Sequence, residues 1–498
     1  MEALQRLHNR GSVSTGFDID NSCMFDWNGT NNANNSQSYM YDSTWTGTPT
    51  STTTGCFSTW FKNSLSDSTC SEGVASFVNN YSSGNDRSYI MGDWGGTGNF
   101  VFGQKVSGAW NFRVVSNNFH RDPSAWYHFF AVWDTSNSTE SERIRLYVNG
   151  ERITSLSAAV YPSQNQECYI VSKEDFSIGR AFSSIYGNFT HGYMAETHFV
   201  DGTAYAPTTF GEFDEDSGIW KPKQVSVSYG NKGFYLNYKD ASNLGNDVSG
   251  NNRDLTLSDI DSSHQATDTP TNNFCTLNIL NVEHNGGGNV EYTEGSTKAK
   301  ALQVDEPASG TMAVTKGKWY FECKAFSNSD IMAGWGVPNK WGTSTDNPGN
   351  DEYSFAVHSV GRVYYYGNSY VDFSPSVSFD TNDIISVALD ADNGFCYWAK
   401  NGTWMNGGSP TSGSTGTGGF NYIGGSTGAN MEIVDGDFLV PAFRVNYYTN
   451  SGIYVNFGGC STISISSAAS DADGYGTFEY APPSGYYAMC TKNLEEYG

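Results

Sequence analysis

Residues 383–402, DIISVALDADNGFCYWAKNG, decide the fold class of this chain. The first seven residues alternate larger apolar side chains with smaller ones, and this period of two is typical of a half-buried β-strand. Residues 392–394 then predict a tight turn, because Asn and Gly tolerate the positive φ that a hairpin needs. An aromatic return strand at 395–399 and an Asn-Gly turn at 401–402 complete the pattern. The stretch therefore predicts an antiparallel hairpin.

The composition extends this prediction to the whole chain. Of the 498 residues, 38% are hydrophobic and 15% aromatic, but only 16% are charged, and 55 are Gly. Aromatic residues together with many turn formers favour short strands joined by loops. Disorder is typical of chains with few aromatics and much charge, so it fits poorly. At this length the chain has room for two or three domains, and we predict an all-β fold.

The charge balance limits the class of partner. The chain has 27 Lys and Arg against 52 Asp and Glu, a net charge of −25. Nucleic acid and anionic membrane surfaces would be repelled, so we expect neither as a partner. The sequence has no apolar run near the roughly 20 residues of a membrane helix and no apolar core of a signal peptide near residue 1. We therefore expect a protein made in a cytoplasm, without membrane insertion.

The cysteines predict buried free thiols. There are nine, an odd number, and none lies in a C-x-x-C pair. Cys323 and Cys396 lie inside apolar runs, as expected of small buried residues in a cytoplasmically made protein. Disulfides are the alternative. At the N-terminus, residues 1–14 form a predicted arm with a short helix, either a docking peptide held by a partner or a frayed end.

Residues 15–205 carry a series of predicted strands, at 56–61, 127–133, 143–148, 176–180 and 192–200. Three motifs in this order resemble laminin-G-like and concanavalin A-like domains. They are WYHFFAVWD at 126–134, LYVNG at 146–150 and GYMAE at 192–196. The resemblance implies a jelly-roll β-sandwich over 15–205.

A similar sequence pattern occurs in both halves of the chain. AVWD at 131–134, followed by LYVNG at 146–150, parallels VALD at 387–390 followed by YWAKNG at 397–402. In both, an apolar strand ends in Asp and the return strand ends in an Asn-Gly turn. Two sandwiches on related plans would produce this echo, and coincidence between unrelated hairpins is the alternative.

Six further blocks around the opening hairpin resemble SPRY domains, which are β-sandwich interaction modules. The blocks are GKWYFEC at 317–323, AGWGV at 333–337, YSFAV at 353–357, LVPAF at 439–443, VNFG at 455–458 and APPSGY at 481–486. The resemblance implies a second sandwich over 283–498 that binds a partner. A Gly/Ser/Thr insertion at 407–428 departs from the family pattern, so no ligand loop is carried over.

Residues 206–282 separate the two predicted sandwiches. The segment is too aromatic for a flexible linker, so we predict an ordered connector. Its sequence resembles a segment that follows laminin-G-like domains in structural proteins of marine bacteriophages. This resemblance implies that the chain is a component of a virion.

One acidic motif is a candidate for catalysis. Laminarinase-type glycoside hydrolases share the concanavalin-like fold and carry a similar carboxylate strand, which Glu212, Asp214 and Asp216 resemble. On an extended strand these side chains would share one face, about 6.5–7 Å apart, while a retaining mechanism needs roughly 5–5.5 Å. The motif lies in the connector, however, and its third carboxylate is Asp rather than Glu. We therefore expect a solvated acidic turn or a local cation site, and no enzyme.

The sequence has few motifs that are typical of metal-binding sites. The eight histidines show no H-E-x-x-H motif or ligand spacing, and His128 is predicted to be a hydrogen-bonded residue of its strand. Residues 390–394 resemble a calcium-binding loop but lack its final Glu. The predicted hairpin turn accounts for the Asp, Asn and Gly residues of this segment. Laminin-G-like domains bind calcium at loop ends, which makes Asp134 and Glu140 calcium candidates. We expect no other cofactor.

Exposed aromatics are the main candidates for binding. The run YYYGNSY at 364–370 holds four tyrosines, and Trp341 lies in a loop rich in Gly, Asn and Pro. Exposed aromatic rings with polar neighbours bind sugars and protein partners. Trp341, Tyr366 and Tyr370 are therefore the predicted ligand-binding residues, with core packing as the alternative for each.

Together these patterns predict a phage virion structural protein made of two antiparallel jelly-roll-type β-sandwiches. Its expected role is a surface-exposed tail fibre or adhesion subunit that binds a host cell-surface glycan or protein and contacts other virion proteins. Fibre-type proteins are symmetric oligomers, and a trimer is predicted. The alternatives are a head-attached decoration or fibre protein with a purely architectural role, and a concanavalin-fold glycanase acting on host polysaccharide.

Overall fold

The chain forms two compact units, Met1–Thr271 and Asn272–Gly498. The computed structural model describes residues 17–26, 38–64, 75–83, 85–93, 99–117, 120, 122–180, 190–280, 290–302, 306–326, 330–338, 340–341, 347–367, 369–374, 377–423, 431–446, 452–460 and 462–498. The predicted arm at 1–14 lies outside these residues. Strands dominate both units, which confirms the all-β fold.

The first unit contains eighteen of the described strands. They are β1 Ser22–Phe25, β2 Tyr39–Asp42, β3 Thr54–Asn63, β4 Ala75–Ser83, β5 Asp86–Asp93, β6 Val101–Val106, β7 Ala109–Ser116, β8 Trp126–Asp134, β9 Ile144–Val148, β10 Glu151–Arg152, β11 Leu156–Val160, β12 Asp175–Ile178, β13 Gly192–Asp201, β14 Gly211–Phe213, β15 Trp220–Pro222, β16 Phe234–Leu236, β17 Thr256–Ser258 and β18 Gln265–Ala266. The helical segments among its described residues are short: α1 Tyr169–Ser172 and the 3-10 turns Glu140–Glu142, Pro207–Thr209 and Ser262–His264.

Two antiparallel sheets of eight strands face each other in this unit. One runs β10-β9-β8-β3-β13-β1-β18, with β16 also paired to β13, and the other runs β11-β7-β6-β5-β4-β12-β2-β17. Alternate residues of these strands point between the sheets and form an aromatic core. It includes Phe57, Phe61, Phe77, Phe102, Phe129, Trp133 and Phe199.

The segment predicted as a connector is part of this unit as far as Thr271. Within it, β16 pairs with β13, β17 with β2 and β18 with β1. Other side chains of the segment cover the outer face of the first sheet. There Phe210 and Tyr229 pack with Phe130 and Val200. The boundary between the units therefore lies near 271, inside the predicted connector 206–282, because the segment pairs with strands distant in sequence.

The second unit contains fifteen described strands. They are β19 Val290–Thr293, β20 Lys298–Ala301, β21 Glu306–Ser309, β22 Lys318–Phe326, β23 Met332–Gly336, β24 Ser354–His358, β25 Arg362–Tyr365, β26 Ser369–Asp372, β27 Ile384–Asp390, β28 Phe395–Lys400, β29 Thr403–Trp404, β30 Phe420–Asn421, β31 Val440–Val445, β32 Gly452–Asn456 and β33 Tyr487–Ala488. The helical segments in the described part of this unit are α2 Thr491–Tyr497 and the 3-10 turns Met405–Gly407 and Pro410–Thr415. Among the described helices, none is long and apolar enough to cross a membrane.

Two sheets again enclose the core of this unit. A nine-stranded sheet runs β19-β20-β32-β22-β27-β28-β29, with β30 on β28 and β33 on β22, and a six-stranded sheet runs β21-β31-β23-β24-β25-β26. The buried core between them includes Trp319, Phe321, Trp335, Phe355, Val387, Trp398 and Phe443.

The opening hairpin is β27 and β28, in the larger sheet. All seven residues of β27 are buried, although their alternation predicted a half-buried strand. The second face is covered because Ala388 packs with Phe478 and Tyr486 from the C-terminal part of the chain. Asp390 is buried as well: it binds Lys318 Nζ at 2.9 Å and accepts a hydrogen bond from the Asn393 backbone N–H at 3.1 Å.

Both predicted Asn-Gly turns are present. Asn149 and Gly150 have φ of 50° and 77°, and Asn401 and Gly402 have φ of 48° and 76°. The eight cysteines in the described residues are buried and free, as predicted, and Cys70 lies outside those residues.

Candidate functional site

The hairpin of β25 and β26 carries two of the three predicted binding residues. Tyr370, in β26, is 47% exposed, and Tyr366, in the turn before it, is 42% exposed. Tyr364, in β25, lies opposite Tyr370, and their ring centroids are 5.7 Å apart. Among the described strands β26 is the last of the six-stranded sheet, so these rings lie at one edge of that sheet.

Charged side chains flank the tyrosines on the same hairpin. Arg362 lies opposite Asp372, and its Nε donates to Asp372 Oδ1 at 2.6 Å. The Arg362 guanidinium carbon also lies 4.2 Å from the centroid of the Tyr370 ring, within the range of a cation–π contact. We call Arg362, Tyr364, Tyr366, Tyr370 and Asp372 the tyrosine face.

An ion-pair cluster continues from the tyrosine face across the sheet. His358 lies opposite Arg362 in register, and its Nε2 is 3.0 Å from Asp330 Oδ1. Arg444 lies 3.2 Å from the same oxygen, and Asn446 Nδ2 donates to Asp330 Oδ2 at 2.7 Å. The hydrogen bond from His358 lowers the pKa of Asp330, helped by the charge of Arg444. These contacts fix the sheet beside the exposed rings.

Tyr366 has an unusual backbone for its residue type. Its φ is +39°, in the left-handed region that Asn and Gly adopt far more readily than a bulky residue. Asn149 and Asn401 fill the comparable positions of the two Asn-Gly turns. Hydrogen bonds fix the conformation, because the Tyr366 N–H donates to the Asp351 carbonyl and the Ser369 N–H to the Tyr366 carbonyl, both at 3.1 Å. A strained residue held this firmly is typical of a functional position.

Trp341 is buried, in contrast to its predicted role. Only 3% of its surface is exposed. A Cβ on Gly336 would lie 2.6 Å from Trp341 Cδ1, so the indole packs directly on the backbone of β23. The Gly-rich sequence around Trp341 indicated an exposed loop, but the side chain covers a sheet glycine. Trp341 therefore does not belong to the tyrosine face.

Sequence patterns missed Arg362 and Asp372. Arg362 and Tyr364 are two residues apart on β25, so strand alternation places them on one face. That spacing was the available signal. Asp372 becomes a neighbour of Arg362 only through the register of the hairpin.

The first unit holds a buried polar cluster around His128. His128 Nε2 lies 2.8 Å from Ser58 Oγ, and Trp220 Nε1 donates to His128 Nδ1 at 3.1 Å. Burial lowers the pKa of His128 to about 3. The prediction of a hydrogen-bonded strand residue is therefore confirmed.

A buried carboxyl lies in the same layer. Glu196 interrupts the pairing of β13 with β3 at a bulge, and its φ is +49°. Tyr235 donates to Glu196 Oε2 at 2.6 Å, and His198 Nε2 lies 3.8 Å from that oxygen. Burial raises the pKa of Glu196 to about 7. Ser58, Glu196, His198 and Phe210 are among the residues that line a narrow crevice.

The candidate catalytic carboxylates form a turn instead of a strand face. Strand β14 ends at Phe213, before Asp214. Asp214 Oδ1 accepts hydrogen bonds from the backbone of Asp216 and Ser217, and Asp214 Oδ2 binds Lys221 Nζ at 2.9 Å. These bonds, led by that from Lys221, lower the pKa of Asp214 well below its usual range.

Glu212 has lysine neighbours too, since Lys221 Nζ and Lys223 Nζ each lie 3.9 Å from one of its oxygens. A general acid of a glycosidase needs a raised pKa, whereas Asp214 is held ionised. The structure therefore contains the predicted acidic turn at Asp214.

The two calcium candidates, Asp134 and Glu140, are not part of a cluster of metal-coordinating side chains among the described residues. Asp134 Oδ1 accepts a hydrogen bond from Ser136 Oγ, and Glu140 begins a 3-10 turn. Within the described part of the chain, no group of three or more His, Cys, Asp or Glu side chains could hold a metal ion.

Comparisons with known proteins bear on the second unit. No curated protein matches the chain. Among solved structures, the chain is similar to the PSpry domain of TRIM65 (12% identity, 36% of this chain and 91% of that chain, TM-score 0.26). It is also similar to the SPRY domain of human HERC1 (14%, 36% and 95%, TM-score 0.25) and to stonustoxin (17%, 36% and 27%, TM-score 0.26). Residues 318–459 match the SPRY domain family. This part of the chain, which includes the tyrosine face, is a SPRY domain.

Proposed function

We propose that this chain is a binding protein of a phage virion, a surface-exposed tail fibre or adhesion subunit. In this proposal the tyrosine face attaches to a glycan or protein of the host cell surface. The observation that carries it is the pair of exposed rings, Tyr366 and Tyr370, beside Arg362 on an edge hairpin of the SPRY domain.

The residue types of the tyrosine face support this role. Tyr and Arg are enriched among the few residues that dominate binding energy in interfaces. Tyrosine offers a large apolar ring and a hydroxyl with little loss of side-chain entropy on binding. The Arg362–Asp372 pair holds the guanidinium over the Tyr370 ring, so both side chains are ordered before a ligand arrives. Pre-organised contacts of this kind favour affinity.

The virion setting rests on the resemblance of residues 206–282 to a segment of marine phage structural proteins. It implies other virion proteins as partners, a place on the virion surface and a symmetric oligomer, for which a trimer is the proposed state. The architectural alternative differs in one respect, because it needs no ligand for the tyrosine face. The glycanase alternative has less support, since Asp214 is tied to Lys221.

The proposal can be tested on cells. Fluorescently labelled full-length protein would be mixed with a panel of marine bacterial isolates, and bound label measured by flow cytometry. We expect binding to some isolates, reduced at least tenfold in the double variant Tyr366→Ser, Tyr370→Ser. Val434→Ser is the matched control, because Val434 is also in the second unit and 60% exposed. Equal binding by the double variant, or no binding of the unaltered protein to any isolate, would contradict adhesion through this face.

A further inference from the structure

Strand β26 has a pairing partner on one side only. It pairs with β25, and no other strand among the described residues pairs with it. The pairing keeps one register, without a bulge, from Arg362 opposite Asp372 to Tyr365 opposite Ser369. Edge strands are commonly protected by lysine, proline or a bulge, but the residues of β26, Ser-Tyr-Val-Asp, include neither Lys nor Pro. This edge can therefore accept a further strand.

The hydrogen bonds of the hairpin indicate which residues of β26 have outward-pointing backbone groups. Ser369 points inward, because its N–H donates to the Tyr366 carbonyl within the turn at 3.1 Å. Successive residues of an antiparallel strand direct their N–H and C=O groups to opposite sides. Val371 therefore points to β25 as well, whereas Tyr370 and Asp372 point away from it. These two residues offer two donors and two acceptors with a repeat of about 6.8 Å.

Two exposed side chains accompany this backbone edge. Tyr370 and Asp372 alternate with Val371, which packs against the core, so both project from the opposite, exposed face. Tyr370 is 47% exposed, and the side chain of Asp372 is 58% exposed. A strand laid beside β26 would place one side chain next to the Tyr370 ring and another, two residues away, next to the Asp372 carboxylate.

These features favour a polypeptide over a glycan as the ligand. An extended peptide carries N–H and C=O groups at the repeat that β26 presents, whereas a sugar chain has no such alternation. A second copy of the chain is disfavoured, because each copy has a net charge of −25. The same charge and the exposed Asp372 favour a peptide that has a Lys or Arg side chain.

We propose that β26 binds an extended segment of a host cell-surface protein by β-strand addition. The segment pairs with the backbone of Tyr370 and Asp372 and extends the six-stranded sheet. An apolar or aromatic side chain of the segment lies against Tyr370, and a Lys or Arg lies beside Asp372. Strand addition here rests on the proposed function, since it names the class of ligand that the tyrosine face holds.

Treatment of the cells tests the class of ligand. Isolates that bind the labelled full-length protein would be digested with proteinase K, which removes exposed protein segments, or oxidised with periodate, which destroys sugar rings. We expect bound label to fall at least tenfold after digestion and to stay within twofold after oxidation. Loss of binding after periodate, or binding that survives proteinase K, would overturn strand addition.

Two substitutions at one position test the backbone contact. Asp372→Ala and Asp372→Pro both remove the carboxylate, but only the proline also removes the outward N–H. An edge strand tolerates Pro where its N–H faces solvent, so the ladder with β25 is kept. We expect Asp372→Pro to bind at least tenfold less label than Asp372→Ala. Equal binding by the two folded variants, whether both bind or neither does, would overturn strand addition.

Unfolding midpoints in urea show whether both variants are folded, and the cell treatments decide alone if the proline variant is not. Other outcomes separate failure of strand addition from failure of the proposed function. No binding to any isolate, or undiminished binding by Tyr366→Ser, Tyr370→Ser, contradicts adhesion through the tyrosine face and strand addition with it. Binding that depends on these tyrosines but survives proteinase K contradicts strand addition alone.

Discussion

Trp220 Nε1 donates a hydrogen bond to His128 Nδ1 across 3.1 Å in the interior of the first unit. The bond fixes the tautomer of His128, because an indole nitrogen can only donate and Nδ1 must accept. The ring proton is then on Nε2 and is donated to Ser58 Oγ, 2.8 Å away. A general base would have to accept the serine proton at that nitrogen. Ser58 and His128 therefore stabilise the fold and are not a nucleophile with its base.

Removing the indole donor tests this structural role. We expect Trp220→Phe to lower the free energy of unfolding of the first unit by about 1–3 kcal/mol, because His128 Nδ1 loses its donor in a buried site. Urea unfolding followed by circular dichroism measures the change. Trp110→Phe, at an exposed indole, should leave the midpoint nearly unchanged. A Trp220→Phe midpoint equal to that of the unaltered protein would contradict the assignment.

The buried His128 should weaken the protein in acid. Burial lowers its pKa from 6.5 to about 3 in the folded state, so between these values the unfolded chain binds more protons. Stability therefore falls as the pH falls through this window. Between pH 6.5 and pH 5 the loss amounts to roughly 2 kcal/mol. We expect His128→Asn to show a shallower decline in unfolding free energy, and an equal decline would count against the buried neutral imidazole.

Glu196 should act in the opposite direction. Burial raises its pKa from 4.5 to about 7, so between these values the folded protein binds more protons than the unfolded chain. Stability therefore falls as the pH rises from about 4.5 to 7, by roughly 3 kcal/mol. Glu196→Gln should remove this loss in unfolding titrations at fixed pH values. Glu212→Gln, on the surface hairpin, is the control, and matching curves for both variants would refute the prediction.

Local sequence patterns were sufficient for the strands and the Asn-Gly turns. Period-two alternation and turn residues depend only on neighbours, and the turns at 149–150 and 401–402 are where they were predicted. Burial of the second face of β27 could not be predicted, because its cover comes from Phe478 and Tyr486, about ninety residues later. The boundary near 271 was missed for the same reason, since β17 and β18 pair with the first strands of the chain.

The candidate site was predicted only in part. The tyrosine-rich run indicates exposed rings, and Tyr366 and Tyr370 are exposed. The loop rich in Gly, Asn and Pro around Trp341 also indicates an exposed ring, but Trp341 is buried. The difference lies in Gly336, whose bare backbone accepts the indole. The left-handed backbone of Tyr366 had no sequence signal either, because Asn or Gly is the residue expected there.

The tyrosine face should show a conflict between stability and binding at Tyr366. Asn adopts the left-handed region more readily than Tyr, so Tyr366→Asn should raise the unfolding free energy of the second unit by about 1 kcal/mol. The same change removes an exposed ring from the proposed interface. Val434→Asn, at another exposed position of this unit, is the control for adding a polar side chain.

The most direct measurement is the binding of labelled Tyr366→Asn protein to those bacterial isolates that the unaltered protein binds. We expect at least a tenfold loss of bound label by flow cytometry from a Tyr366→Asn variant that unfolds at a higher urea concentration, while Val434→Asn binds normally. Undiminished cell binding by a stabilised Tyr366→Asn variant would contradict the claim that the tyrosine face holds the ligand.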